Sequence, residues 1–161
     1  MCIRDRDKAK LKHLARYLRG TSDYRLLIST KCIYSEGVPG KIEVYVDSDW
    51  AGCHKTRKST TGVCVFYNGV LIHHYSRTQA TVALSSAEAK LYAIGTGTID
   101  GVSLLQFVRE LGLPVQPKCS VFVYTDSSSA KSIATRLGSS RTTKHIHLRY
   151  LYVQDLSLIH I

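Results

Sequence analysis

The stretch Lys41-Ile-Glu-Val-Tyr-Val-Asp-Ser-Asp-Trp-Ala-Gly52 decides the fold. Side chains alternate along a strand, so Ile42, Val44 and Val46 share one face, and Glu43, Tyr45, Asp47 and Asp49 the other. A second stretch of this kind, Ser120-Val-Phe-Val-Tyr-Thr-Asp126, lies far downstream and also ends in an aspartate. Ligands of open α/β sheets bind beyond the carboxyl ends of the strands. Two strands that each deliver an Asp there define a candidate metal site, and the rest of the chain reads as what brings Asp47 and Asp126 together.

Working outward, Gly62 to Tyr67 and Leu71 to Ser76 are predicted strands around Asn68-Gly69, a strong hairpin signal. Strands one to three then form an antiparallel meander. Ser85 opens a long helical pattern with Ala87, Leu91, Ile94, Thr98, Leu105 and Val108 on one stripe. Gly95, Gly97 and Gly101 inside it mark either a kink or a close packing contact, and Gly112 and Pro114 stop it. A helix of crossover length predicts that the strand from Ser120 runs parallel to the first. Both aspartates would then sit on one edge of the sheet. Ser127 is placed to cap a helix reaching Leu137. His145 to Asp155 reads as a last helix, with Ile146, Tyr150 and Val153 on one face. Upstream, Asp7 to Arg19 reads as a helix through Leu11, Leu14, Ala15 and Leu18, ended by Gly20. Tyr24 to Ser29 suggests a short strand, and residues 35–40 a polar turn.

A chain of 161 residues, 44% hydrophobic and 21% charged, suits one globular domain with an appendage. The formal net charge of +10 and pI of about 9.5 fit a partner rich in phosphate, though a plain basic protein would look the same. Cys2, Cys32, Cys53, Cys64 and Cys119 form no C-x-x-C pair, which predicts reduced thiols in an intracellular setting rather than disulfides or a zinc knuckle. No apolar run approaches the ~20 residues of a membrane span, so no membrane is expected among the partners. Residues 1–6 and 156–161 resemble translated adaptor sequence and are set aside from the fold; the alternative is an ordinary start and stop.

Five motifs occur in order: Tyr45-x-Asp47-x-Asp49-Trp-Ala-Gly52; Arg57-Lys-Ser-Thr60 with Gly62; Gln79-x-x-Val-Ala-Leu-Ser-Ser86; Thr125-Asp126-x-x-Ser-Ala130; and Thr143-Lys-His-Ile146 with Arg149-Tyr150. Together they resemble the ribonuclease H domain of copia-type LTR retrotransposon polyproteins, over roughly Lys8 to Asp155. The resemblance implies an α/β ribonuclease H-like fold over 41–155, with antiparallel strands one to three, a parallel fourth strand and helices packed on the sheet. Residues 7–40 resemble the piece that joins reverse transcriptase to this domain, so the missing reverse transcriptase portion of the same polyprotein is an expected partner. The family hydrolyses the RNA strand of RNA–DNA hybrids during reverse transcription. It uses two Mg²⁺ ions, with Mn²⁺ as a substitute, held by four carboxylates. By family the setting is a cytoplasmic virus-like particle.

The resemblance places Asp47 and Asp126 at the first and third metal-binding positions, with Asp49 as the rival of Asp47. The structural alternatives are a turn former for Asp47 and a helix cap for Asp126. At the second position the family has Glu, whereas alignment on Leu91 and Ala93 puts Lys90 there. Glu88 is two residues earlier, about 200° round a helix. With Ser85 it fits a capping box, so its expected role is a cap before a ligand. At the fourth position His147 replaces an acidic residue. A neutral imidazole suits Mg²⁺ poorly, and His145-x-His147 alone is weak ground for zinc. Lys90 is expected to take one metal position and pair with Asp47 and Asp126. That implies weakened Mg²⁺ binding and impaired hydrolysis in this copy. Lys55, Arg57, Lys58, Arg77, Lys131 and Arg141 are the candidate nucleic-acid contacts; a solvated basic loop is the alternative for the first three. His73-His74 and Trp50 read as packing residues. Two other functions remain open: a catalytically inactive nucleic-acid-binding remnant of the same fold, and an integrase-like core, against which the Asp-Trp-Ala-Gly and Lys-His-Ile motifs argue.

Overall fold

The alternating stretch is strand β1 (Lys41–Ser48) in the computed structural model, which describes residues 3–28, 40–111, 119–136, 153 and 159–160. Ile42, Val44 and Val46 are buried on one face of β1 while Tyr45 and Asp47 are exposed on the other, as period two requires. β1 pairs antiparallel with β2 (Thr60–Tyr67), and β2 with β3 (Val70–Thr78). Asn68 (φ 47°) and Gly69 (φ 80°) both take the positive φ of a type I′ hairpin turn. Asn68 also ties the turn to the start of β1. Its Oδ1 accepts from the Lys41 amide at 2.8 Å, and its own amide donates to the Lys41 carbonyl at 2.9 Å. One irregularity between Val65 and Phe66 interrupts the β2–β3 register.

Helix α1 (Ile3–Gly20) precedes the sheet, and α2 (Ser86–Glu110) follows β3. Strand β4 (Ser120–Tyr124) then lies parallel to β1, with Ile42 opposite Val121 and Tyr45 opposite Tyr124. Helix α3 (Ser128–Thr135) starts at the Ser127 cap, whose Oγ accepts from the Ala130 amide at 3.1 Å. A two-residue strand β5 (Ile159–His160) pairs parallel with β4, giving the order β3-β2-β1-β4-β5. That fifth strand falls in a stretch set aside as adaptor-like and was not expected. The antiparallel β1–β3 meander, the parallel β4 and the helices packed on the sheet make the α/β, ribonuclease H-like architecture that the motifs implied.

The core lies between the sheet and α2. Val63 and Val65 of β2 and Val121 and Val123 of β4 join the three β1 side chains against Leu91, Ala93, Ile94 and Leu105. Each fully buried side chain of this size contributes on the order of 1.5–3 kcal/mol. The glycines of α2 mark close packing, since the helix continues unbroken through them. A Cβ on Gly97 would overlap Val46 Cγ1, and one on Gly101 would lie 2.8 Å from Val121 Cγ1 and 2.9 Å from Val44 Cγ2. The buried surface of α2 is therefore wider than the predicted stripe and includes Ala89, Tyr92, Gly97 and Gly101. By length and mean hydropathy α2 would also suffice to cross a membrane, contrary to the sequence reading, but 56% of that apolar window is buried inside the fold.

Two local expectations differ. Residues 24–28 form no strand; they follow the turn at 21–23, and their large apolar side chains Tyr24, Leu26, Leu27 and Ile28 are exposed. Among the described residues no strand pairs with them, and a strand without a partner leaves its hydrogen-bonding groups to water. Trp50 is half exposed rather than in the core, its indole N–H donating to the Ala83 carbonyl at 3.1 Å. Cys53, Cys64 and Cys119 are free thiols, as expected. Of the expected last helix only Val153 is described, and it is buried in the core. The rest of that helix, the turn at 35–39, Gly112, Pro114 and Leu137 lie outside the described residues.

Candidate carboxylate site at the strand ends

Parallel pairing of β1 and β4 carries Asp47 and Asp126 to the same edge of the sheet. Asp47 is the penultimate residue of β1, and Asp126 stands two residues beyond β4. Their side chains are 73% and 67% exposed, whereas that of Lys90 is only 16% exposed. Lys90 lies in the second turn of α2 and reaches both carboxylates. Its Nζ is 3.0 Å from Asp47 Oδ1 and donates a closer hydrogen bond to Asp126 Oδ1. The Asp126 carboxylate raises the Lys90 ammonium above its ordinary value, with a further upward push from Asp47, against a lowering by desolvation. The same contact lowers the Asp126 carboxyl. Asp47 also accepts from the Ser48 amide at 2.7 Å through Oδ1.

This donor set does not fit a divalent cation. An ammonium stands between two carboxylates, where a cation would need their oxygens, and it brings positive charge in place of a ligand. Among the described residues no group of three or more His, Cys, Asp and Glu side chains could hold a metal ion.

Glu88 is not brought to this cluster. It is buried, and its carboxylate turns back along α2. Oε2 accepts from the Leu84 amide at 2.8 Å, Oε1 accepts from the Tyr92 hydroxyl, and the Glu88 amide donates to Ser85 Oγ at 3.1 Å. This is a variant of the capping box in which the carboxylate reaches the residue before the cap. Tyr92, four residues on and so on the same helix face, was open to discovery from its spacing. Asp49 lies past the end of β1 and does not continue its face. Its Oδ1 accepts from the Thr60 amide, and its own amide donates to the Thr60 carbonyl at 3.2 Å. Gly52 passes so close to the Asp49 carboxylate that a Cβ there would overlap it.

The basic loop that follows is folded on itself. The Arg57 amide donates to the Cys53 carbonyl at 2.7 Å, and the Cys53 amide to the Lys58 carbonyl at 3.2 Å. Ala51 (φ 53°) and Arg57 (φ 55°) both adopt the left-handed conformation, which costs a non-glycine residue on the order of 1–2 kcal/mol. The fully buried Ser59 helps hold Ala51 there by accepting its amide at 3.0 Å. Lys55 and Arg57 are exposed and Lys58 partly so. Arg77 pairs in register with Thr61, which itself pairs with Ser48, so it belongs to the same end of the sheet. Lys131 is exposed on α3, just after Asp126. Arg141 and His147 lie outside the described residues. A concave surface of about 700 Å³ adjoins the cluster, bounded by Asp47, Asp126, Tyr45, Cys64, His74 and Tyr124 among others. Within it the Tyr45 and Tyr124 rings stack at 4.8 Å.

No protein-family model matches the chain. Curated relatives do. The chain is 33% identical to the retrovirus-related Pol polyprotein from transposon TNT 1-94 of Nicotiana tabacum, over 91% of its own length and 10% of the relative. It is 27% identical to the corresponding polyprotein from transposon RE2 of Arabidopsis thaliana, over 90% of its length and 9% of that relative. A secreted RxLR effector protein of Plasmopara viticola shares 36% identity over 58% of the chain and 62% of the relative. Matches that run nearly the whole length of the chain are to retrovirus-related Pol polyproteins of transposons, of which it spans about a tenth.

Proposed function

We propose that this chain is the ribonuclease H-like region of a transposon Pol polyprotein, a domain built for metal-dependent hydrolysis of the RNA strand of RNA–DNA hybrids, and that Lys90 impairs that activity here. The fold, the order of the motifs and the similarity to Pol polyproteins support the domain. The single observation that carries the impairment is the Lys90 ammonium between the Asp47 and Asp126 carboxylates. Where the family pattern calls for an acidic side chain, this chain supplies a tethered cation. Mg²⁺ or Mn²⁺ would have to displace that cation from the two carboxylates, so binding is weakened. By the same pattern His147 removes a further negative charge.

A second reading keeps the partner and drops the chemistry. The closed basic loop at 53–58, with Arg77 and Lys131 at the same end of the sheet, favours retained binding to an RNA–DNA hybrid through its phosphates. The test is cleavage of a labelled RNA–DNA hybrid by the whole chain in Mg²⁺ and in Mn²⁺, beside Lys90→Glu, with cation binding to both proteins read by calorimetry. The expected result is no cleavage by the unaltered chain, and tighter cation binding with some cleavage in Lys90→Glu. Robust cleavage by the unaltered chain would overturn the impairment. Silence in both proteins, with salt-dependent hybrid binding, would establish the binding remnant.

A further inference from the structure

Gln79, the first residue of the third motif, is buried at the end of β3. We propose that Gln79 is a positioning residue, whose buried carboxamide sets where α2 sits on β2 and thereby where Lys90 meets Asp47 and Asp126. Gln79 is 8% exposed and follows the end of β3 directly. Its Nε2 donates at 2.9 Å to Thr61 Oγ1 and at 2.8 Å to the Ala89 carbonyl. A carbonyl can only accept, so the second contact fixes which end of the amide faces the helix. Thr61 is the register partner of Ser48, next to Asp47, and Ala89 immediately precedes Lys90. One side chain thus joins the β2 residue opposite the end of β1 to the helix residue before Lys90. The Gln79 amide donates to the Ser59 carbonyl at 2.8 Å, which anchors the backbone end of the link. Among the described residues Gln79 Oε1 has no hydrogen-bond partner. The two donated bonds are what the amide supplies. The inference rests on this geometry and holds whether or not the site handles nucleic acid.

The test is a double-mutant cycle between Lys90 and Asp126, using Lys90→Met and Asp126→Asn in urea unfolding of the whole chain. It is run in the unaltered background, in Gln79→Met and in Leu105→Ala. Met keeps the length of Gln and loses both donors. Leu105 is buried on the same helix, about 24 Å along it from Ala89 at 1.5 Å per residue, and its truncation destabilises without touching the link. The expected result is that the Lys90–Asp126 coupling falls toward zero in Gln79→Met and is unchanged in Leu105→Ala. Coupling retained in Gln79→Met, or lost equally in Leu105→Ala, would overturn the proposal. If Gln79→Met does not fold, Thr61→Val removes one of the two contacts. A weakened coupling there supports the link, and an unchanged one refutes it.

Discussion

Helices α1 and α2 differ in a way that separates forming a helix from packing it. α1 carries the cleaner amphipathic pattern, yet Leu11, Leu14 and Leu18 on its stripe are 52–65% exposed. α2 has a blurred pattern interrupted by three glycines, yet it carries the core. Spacing of 3.6 residues forecasts a helix, but burial depends on the surface offered opposite. α2 faces the flat valine ladder of β1, β2 and β4, and small residues let its backbone approach that ladder closely. No described element offers α1 such a surface.

The sharpest way to break the α2 side of this contrast is Gly97→Ala. The new methyl would overlap Val46 Cγ1 and lie 3.0 Å from Val44 Cγ1, and both valines are held in the sheet. Overpacking of this kind costs about 1–3 kcal/mol, which outweighs the gain of roughly 1 kcal/mol in helix propensity. A net loss of stability is expected in urea unfolding. Val46→Ala should recover part of it, so that the double variant is more stable than additivity predicts. A stabilised Gly97→Ala would mean that α2 stands off the sheet.

The same contrast shows what the sequence disclosed. Period two placed β1 and β4, Asn68-Gly69 placed the hairpin, and a crossover of helix length put Asp47 and Asp126 on one edge. Those features are local in sequence or set by chain reach. Lys90 is legible only through the family resemblance, aligned on Leu91 and Ala93; helix geometry alone, at 100° per residue, just turns Glu88 away from that direction. The glycine seam is ambiguous in sequence, since a glycine in a helix looks the same whether it bends the axis or admits a neighbour. Gln79 and Ser59 are legible as motif residues only, and Thr61 not at all. Their partners are 8 to 18 residues away, and no periodicity announces a hydrogen bond across that distance. The exposed Trp50 was misjudged because a large apolar area says nothing about the carbonyl that fixes its indole N–H.

A smaller effect should come from the charged cluster that α2 carries to the strand ends. Asp126 is lowered from an ordinary value of 3.8, so its contribution is present above that pH and lost as the pH falls through the depressed value. Lys90 is raised from 10.5, so its contribution is complete below that pH and lost as the pH climbs through the raised value. The stability difference between the unaltered chain and Lys90→Met should therefore be flat from about pH 5 to 9 and close at both extremes. It should also shrink with added salt, because both carboxylates are exposed. Urea midpoints across that range measure it. A difference that persists at pH 2 would assign the effect of Lys90 to packing of its methylene stem rather than to charge.

The smallest effect is expected on α1, and its smallness is the informative part. Leu14→Ser removes an apolar side chain that is 52% exposed. Substitutions on a surface without packing partners stay within about 0.5 kcal/mol. Trp50 is the single tryptophan of the chain and sits just beyond β1, so its fluorescence reports unfolding of the sheet unit rather than of α1. Urea curves followed at Trp50 should superimpose for Leu14→Ser and the unaltered chain, while the variant should be more soluble at high concentration, because an exposed apolar stripe promotes association. A loss above 1 kcal/mol at Trp50 would place the α1 stripe against the sheet unit and remove the contrast with α2. Superimposed curves would leave α1 as a helix whose hydrophobic side is complete in sequence and unmatched among the described elements of its own chain.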